Sequence, residues 1–153
     1  MAAIQKYYPK CVTCVIRDDE NRILVLEHMK CKNKFTLPAG TMEPNEREID
    51  DGYKITVIRE MKEELDIDIN DDNITLVETT WAYYDRIDGH KVYWEHVCDI
   101  SEYSGEIKNM EPHKHPSMRW VTPEEVFDHP ELYTYQTWLA ITNYYNSMWY
   151  INY

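Results

Sequence analysis

Glycine is scarce in this chain, with four residues in 153, and phenylalanine is scarcer still with two. No stretch reads as a glycine-rich loop that could cradle phosphates, no nucleophilic triad stands out, and no Gly/Ser linker, repeat or low-complexity tract divides the sequence. One domain spanning residues 1–153 is expected, long enough to bury a core without disulfides or a metal staple. Long apolar runs are also missing. Nothing approaches membrane-spanning length and no basic region followed by an apolar core opens the chain, so no membrane partner and a cytoplasmic location are the expectations. Positive charge is in short supply: 16 Lys and Arg stand against 28 Asp and Glu, for a net charge of -12. That balance argues against a broad nucleic-acid surface, which needs clustered cations, and leaves RNA decapping without an obvious track. It does not exclude nucleotides, because a metal ion and a few local cations such as Lys30, Lys32 and Lys34 could receive a polyphosphate. The same lysines read equally well as a solvated loop. Of the four cysteines, Cys11 and Cys14 fall in a strand, where positions three apart point to opposite faces, and Cys31 and Cys98 add no second pair; neither structural zinc nor a disulfide is expected.

What the chain does have is acid in one place. Arg59-Glu60-Met61-Lys62-Glu63-Glu64 puts three carboxylates and an arginine within six residues. At helical spacing Glu60, Glu63 and Glu64 stand at i, i+3 and i+4 and share a face, a like-charge crowding that a divalent cation would relieve. The plainer reading is a solvated face whose acids pair with Arg59 and Lys62. Upstream, Leu37-Pro38-Ala39-Gly40-Thr41-Met42-Glu43-Pro44-Asn45-Glu46 is a Pro- and Gly-punctuated loop ending in a carboxylate. A loop leading into such a helix can wrap a hard cation with backbone and side-chain oxygens and leave other coordination positions to substrate phosphates.

The elements around these residues are legible from pattern. Residues 10 to 17 and 22 to 28 are aliphatic and β-branched and, separated by Asp18-Asp19-Glu20-Asn21, read as a hairpin. A short strand lies near Phe35. The acidic helix is expected over about 52 to 65 with Asp50 or Asp51 as N-cap and an apolar stripe of Ile55, Ile58, Met61 and Leu65. Two longer strands, 73 to 84 and 90 to 100, flank an Asp88-Gly89 turn. Met118 to Val121 makes a further short strand, and Thr122-Pro123-Glu124-Glu125 starts a helix with a capping box and a proline at its first position. A last helix, about 134 to 149, puts Trp138, Ile141, Tyr145 and Trp149 on one side, for the core or for a homodimer contact. Strands with helices around them imply an α/β sandwich.

The loop and the acidic helix together resemble the Nudix hydrolase signature: a glycine, five residues, a glutamate, a spacer, then Arg-Glu-(apolar)-x-Glu-Glu-x-Gly-(apolar). Gly40 to Glu46 fits the first half, and Arg59, Glu60, Met61, Glu63, Glu64 and Ile67 fit the second. Weaker similarity runs through a strand pair before the motif, a hairpin after it and the segment from Glu111-Pro112 to Glu125. The sequence departs from the pattern in having twelve residues, 47 to 58, where the family usually has seven, an apparent insertion of five. Asp66 stands where the family has its later glycine, and Ala39-Gly40 where it has Gly-Gly. Reading the box without the insertion would place Asn45 and Asp51 at the glycine and glutamate positions and would break Leu-Pro-x-Gly and Glu-Pro-x-Glu.

The resemblance implies an α/β/α sandwich with a mixed sheet and hydrolysis of a nucleoside diphosphate linked to another group, with Mg²⁺ or Mn²⁺. It implies metal ligation by Glu60, Glu64 and Glu63 with the Ala39 backbone carbonyl, and orientation of the acidic helix by Arg59 and Glu46. Glu111 falls in a loop where several relatives carry an extra acid that binds metal or deprotonates the water, though it reads equally as a surface glutamate before a proline. Trp81, Tyr83 and Tyr84 could stack a nucleobase, and the two tyrosines lie near where relatives acting on diadenosine polyphosphates carry one. The four histidines at 90, 96, 113 and 115 suit substrate or solvent better than a hard cation. A nucleoside triphosphate pyrophosphohydrolase leads; a dinucleoside polyphosphate or nucleotide-sugar hydrolase, and a nucleotide-binding sensor with little catalysis, are the alternatives.

Overall fold

The computed structural model describes residues 8–151, with side chains as far as residue 146. Seven strands run in chain order: β1 (Lys10–Ile16), β2 (Ile23–His28), β3 (Lys34–Thr36), β4 (Ala39–Thr41), β5 (Ile74–Arg86), β6 (Gly89–Ile100) and β7 (Met118–Val121). The helices are α1 (Pro44–Arg47), α2 (Gly52–Leu65), α3 (Pro123–Asp128) and α4 (Tyr135–Ile151). One sheet has the order β4-β1-β6-β5 and is mixed, since β1 is parallel to β6 and the other neighbours are antiparallel. The second, β3-β2-β7, is antiparallel.

Both central strands are buried on their two faces, and their alternate side chains enter different cores. Val12, Cys14 and Ile16 of β1 and Leu24 and Leu26 of β2 pack with Val57, Met61 and Leu65 of α2. Val15, Ile23 and Val25 point the other way, onto Val126 of α3 and Ala140, Ile141 and Tyr144 of α4. The period-2 alternation of a strand thus yields helix, sheet and helix layers, as the pattern implied.

Several local expectations change. The first two strands meet only at the Arg17–Ile23 bridge and then part into different sheets, so they form no hairpin ladder; strands apolar on both faces carry no signal of which neighbour they take. The stripe of α2 is Val57, Met61 and Leu65, at i, i+4 and i+8, while Ile55 is exposed and Ile58 only partly covered. Asp51 is the N-cap of α2, in a left-handed conformation and without a side-chain capping bond. The turn of the long hairpin is Ile87-Asp88, one residue earlier than expected, because Arg86 pairs with Gly89. In α4 the stripe is centred on Ala140, Ile141 and Tyr144, with Trp138 and Tyr145 at its margin, and the side chain of Trp149 lies outside the described residues. The capping box at Thr122 forms as read: its Oγ1 accepts from Glu125 N at 3.2 Å and Glu125 Oε2 accepts from Thr122 N at 2.9 Å.

Candidate active site

The Pro/Gly loop is more ordered than its sequence suggests. Residues 39 to 41 form β4 on the edge of the mixed sheet, and 44 to 47 form the single turn of α1. This brings Gly40 flat against Glu60: a Cβ at Gly40 would fall 2.1 Å from Glu60 Cγ and 2.2 Å from its Cδ, so any side chain there would push the Glu60 carboxylate out of its place. The twelve residues after Glu46 do not lengthen the approach to the helix. They turn back at Ile49, whose carbonyl accepts from Gly52 N at 2.9 Å, and a Cβ on Gly52 would lie 1.8 Å from the Glu46 carbonyl oxygen.

Arg59 is the hub. Its guanidinium grips Glu46 with a fork, Nε to Oε2 at 3.1 Å and Nη2 to Oε1 at 2.8 Å, and donates to Glu60 Oε1 at 2.9 Å and to the Thr41 carbonyl at 3.1 Å. Glu46, only 2% exposed, also accepts from Thr56 Oγ1 and from Glu43 N. The Arg59 bonds, with those from Glu43 and Thr56, hold its pKa down to about 2 against the effect of burial. The ion pair is therefore permanent at any physiological pH, and it joins α1, β4 and α2 through one rigid, planar cation. This geometry agrees with the reading of the motif that includes the insertion.

The three helical carboxylates are not equivalent. Glu64 is 3% exposed, its Oε2 has no hydrogen-bond partner among the described residues, and burial raises its pKa to about 8, offset in part by Lys114 and by the Ala39 amide. Glu60 is mostly covered and its pKa is also raised by burial, with Arg59 opposing. Glu63 is exposed and reaches back to Arg59 Nη1 at 3.5 Å. Residues 108 to 115 are laced to the end of α2: Lys108 N donates to the Leu65 carbonyl at 2.9 Å and Met110 N to that of Glu64 at 3.0 Å. That loop carries Glu111, whose charge contributes to the raised pKa of Glu64, and Lys114, whose Nζ stands 3.9 Å from Glu64 Oε1.

Beside this array lies a cavity of about 290 Å³, whose lining includes Gly40 and Glu60 together with His28, Lys30, Arg86 and Lys114. Of the residues expected to touch substrate, Lys30 and Tyr84 reach it. Tyr83 and Lys34 line a neighbouring groove instead, and Trp81 packs on Tyr8 and Trp94. The division of the aromatics has a simple cause: on a strand Tyr84 and Arg86 share one face while Trp81, Tyr83 and Asp85 share the other. His28, Arg86 and Lys114 were not singled out from sequence. Arg86 could have been found by counting two from Tyr84; His28 and Lys114 sit in segments with no periodic signal.

The donor set fits a hard divalent cation. All the groups are oxygens, and a buried carboxylate oxygen without a partner is a standing electrostatic cost that a cation would remove. Among the described residues no three His, Cys, Asp or Glu side chains converge closely enough to hold a metal by themselves. Arg59 draws Glu60 and Glu63 toward itself, so Glu60 and Glu64 would share a cation with water and substrate oxygens, the incomplete protein coordination that Mg²⁺ favours.

Fold and site together define a hydrolase of acid anhydrides. The NUDIX domain model matches residues 7–139, and the chain belongs to that family. Its fold is shared with the MutT NUDIX hydrolase from Burkholderia pseudomallei, at 24% identity and TM-score 0.65, covering 88% of this chain and 96% of that one. The MutT protein from Methanosarcina mazei Go1 is similar at 19% identity and TM-score 0.69, covering 92% and 94%. A binary complex of the C. elegans Ap4A hydrolase is similar at 18% identity and TM-score 0.61, covering 92% and 97%. No curated protein sequence matches the chain.

Proposed function

We propose that the chain, as one domain, is a pyrophosphohydrolase dependent on Mg²⁺ or Mn²⁺, with a nucleoside triphosphate as its leading substrate and a monophosphate and pyrophosphate as products. The observation that carries this reading is Arg59, which grips Glu46 and Glu60 together beside a cavity that Glu60 lines with the cations Lys30, Arg86 and Lys114, while Glu64 lies one turn further along the helix with Lys114 Nζ 3.9 Å away. When bound, a divalent cation supplies charge neutralisation at phosphate oxygens and a water of lowered pKa. The chain's own part is to hold Glu60 and Glu64 toward the reacting phosphorus, with Glu63 as a third acid, and to orient the Ala39 carbonyl beside them. Lys30, Arg86 and Lys114 offset the phosphate charge that the acidic surface would otherwise repel. Glu111 is the candidate to take the proton of the attacking water as the anhydride P–O bond breaks and the new P–O bond forms.

A second reading, a dinucleoside polyphosphate hydrolase, is favoured by the groove next to the cavity. It has a volume of about 410 Å³ and its lining includes Tyr83, Tyr135, Lys34 and the Lys32–Asp85 ion pair at 2.7 Å, so it offers aromatic surface and the charge of Lys34, unshared among the described residues, for a second nucleoside. Both recesses share Cys31.

A panel of nucleoside triphosphates, nucleotide sugars and dinucleoside polyphosphates, incubated with each metal and resolved by product chromatography, separates the readings. Absence of turnover on every member would overturn both and favour a binding role. Glu64→Gln keeps the size of the side chain and removes its charge, and is expected to lower kcat by orders of magnitude with Tm retained. Turnover like that of the wild type would remove Glu64 from the site.

A further inference from the structure

His28, the last residue of β2, faces the cavity with one ring nitrogen already committed. Its Nδ1 accepts a hydrogen bond from Lys30 N at 3.2 Å, capping the 3-10 turn of Met29–Cys31. A nitrogen that accepts carries no proton, so the neutral ring holds its proton on Nε2. The ring plane is set from the side by His115, edge-on at 5.1 Å and 86°. His115 is fixed in turn: it is 4% exposed, and its Nδ1 donates to the Glu27 carbonyl at 3.1 Å. Burial, with the nearby His115, Lys114, Arg86 and Lys30 charges, keeps the His28 ring neutral by lowering its pKa to about 4.

The cavity wall thus holds two kinds of donor. Lys30, Arg86 and Lys114 bring charge, while His28 brings one uncharged N–H on a ring that two neighbours hold still. We infer that His28 is a substrate-binding residue that donates its Nε2–H to a phosphate oxygen of the bound nucleotide. Long cationic side chains attract an anion from many directions, whereas a locked N–H rewards one placement of the phosphate chain. The inference rests on the cavity being the substrate site.

The test uses the full chain with ¹⁵N-labelled histidine, Mg²⁺ and a nucleoside triphosphate carrying a methylene in place of its α,β-bridging oxygen. His28, assigned by loss of its signal in His28→Gln, should show the Nε2–H tautomer when free and keep it on binding, with the Nε2 resonance shifting as the analogue saturates. His28→Phe, a ring without a donor, should raise KM for the best substrate about tenfold or more, the loss of one hydrogen bond to a charged group. His28→Gln, which restores an N–H, should recover most of that. An Nδ1–H tautomer in the free protein, no shift with saturating analogue, or equal KM for His28→Phe and wild type would each overturn the inference. The proposed hydrolysis fails separately, by absence of turnover in the wild type, and the resonance readout does not depend on turnover.

Discussion

Asp66 ends α2 with φ at 58°, in the left-handed region, and its N–H closes the helix on the Lys62 carbonyl at 3.1 Å. A residue with a Cβ is disfavoured at such a position, where a glycine suits best. Two lysines partly offset the cost: Lys62 Nζ lies 3.1 Å and Lys108 Nζ 3.9 Å from the Asp66 carboxylate. Both pairs are largely exposed, so they contribute little. Asp66→Gly should therefore stabilise the protein by about 1 kcal/mol in denaturant unfolding. A destabilised variant would mean that the ion pairs outweigh the backbone strain. Arg59, Glu46 and Gly40 were legible because spacing alone puts them in the motif. Trp81 and Tyr83 were grouped with Tyr84 as aromatics, and only strand parity separates them.

At the scale of elements, α2 carries the site and the core at once. Val57, Met61 and Leu65 are 0% exposed and lie against β1 and β2, while Glu60, one position from Met61, lines the cavity beside Gly40 of β4, and Glu64, one position from Leu65, meets the Ala39 amide and Lys114. Met61→Ala should cost about 2–5 kcal/mol in chemical denaturation, the range for a fully buried side chain leaving a cavity, and should lower activity in the population that stays folded. A loss under 1 kcal/mol would mean that the helix settles freely onto the sheet. The helix span and the long hairpin were readable because their apolar periods are sustained. The separation of β1 from β2 was not, since adjacency in sequence and shared burial both favour pairing them, and it is the parallel β1–β6 ladder and the antiparallel β1–β4 ladder that claim β1 for the other sheet.

For the molecule as a whole, two equilibria report on the buried acids. Glu95, 1% exposed with its Oε2 accepting from Tyr84 OH at 2.8 Å, has a pKa raised by burial to about 7. A raised carboxyl pKa means that the folded state keeps its proton longer than the unfolded one, so this group's contribution declines as pH rises from about 4.5 to about 7 and is constant above. Glu46 acts in the opposite sense: its contribution is full above about 4.5 and is lost as pH falls through about 2. Glu95→Gln should flatten the decline in Tm between pH 4.5 and 7 relative to the wild type, and parallel profiles would refute the assignment. The second equilibrium is ligation. Saturating Mg²⁺ should raise the melting temperature, since a cation at one hundred times its Kd adds about 2.7 kcal/mol. Chelator should reverse the shift, and Glu64→Gln should lose most of it; an unchanged Tm in the wild type would argue against a cation between Glu60 and Glu64. Among the described residues no helix is long and apolar enough to cross a membrane.

The order and type of the main elements, the acidic helix and the family motif were determined by the sequence alone, because hydrophobic period, capping chemistry and the spacing of charged residues are local properties. Tertiary structure decided the rest. It brought Arg59 back onto Glu46 across an insertion that folds on itself, buried Glu64 while leaving Glu63 in solvent, and gathered His28, Arg86 and Lys114 from three distant segments around one cavity. These outcomes depend on which surfaces remain once the two cores have packed, and burial, unlike periodicity, is set by residues far away in the chain.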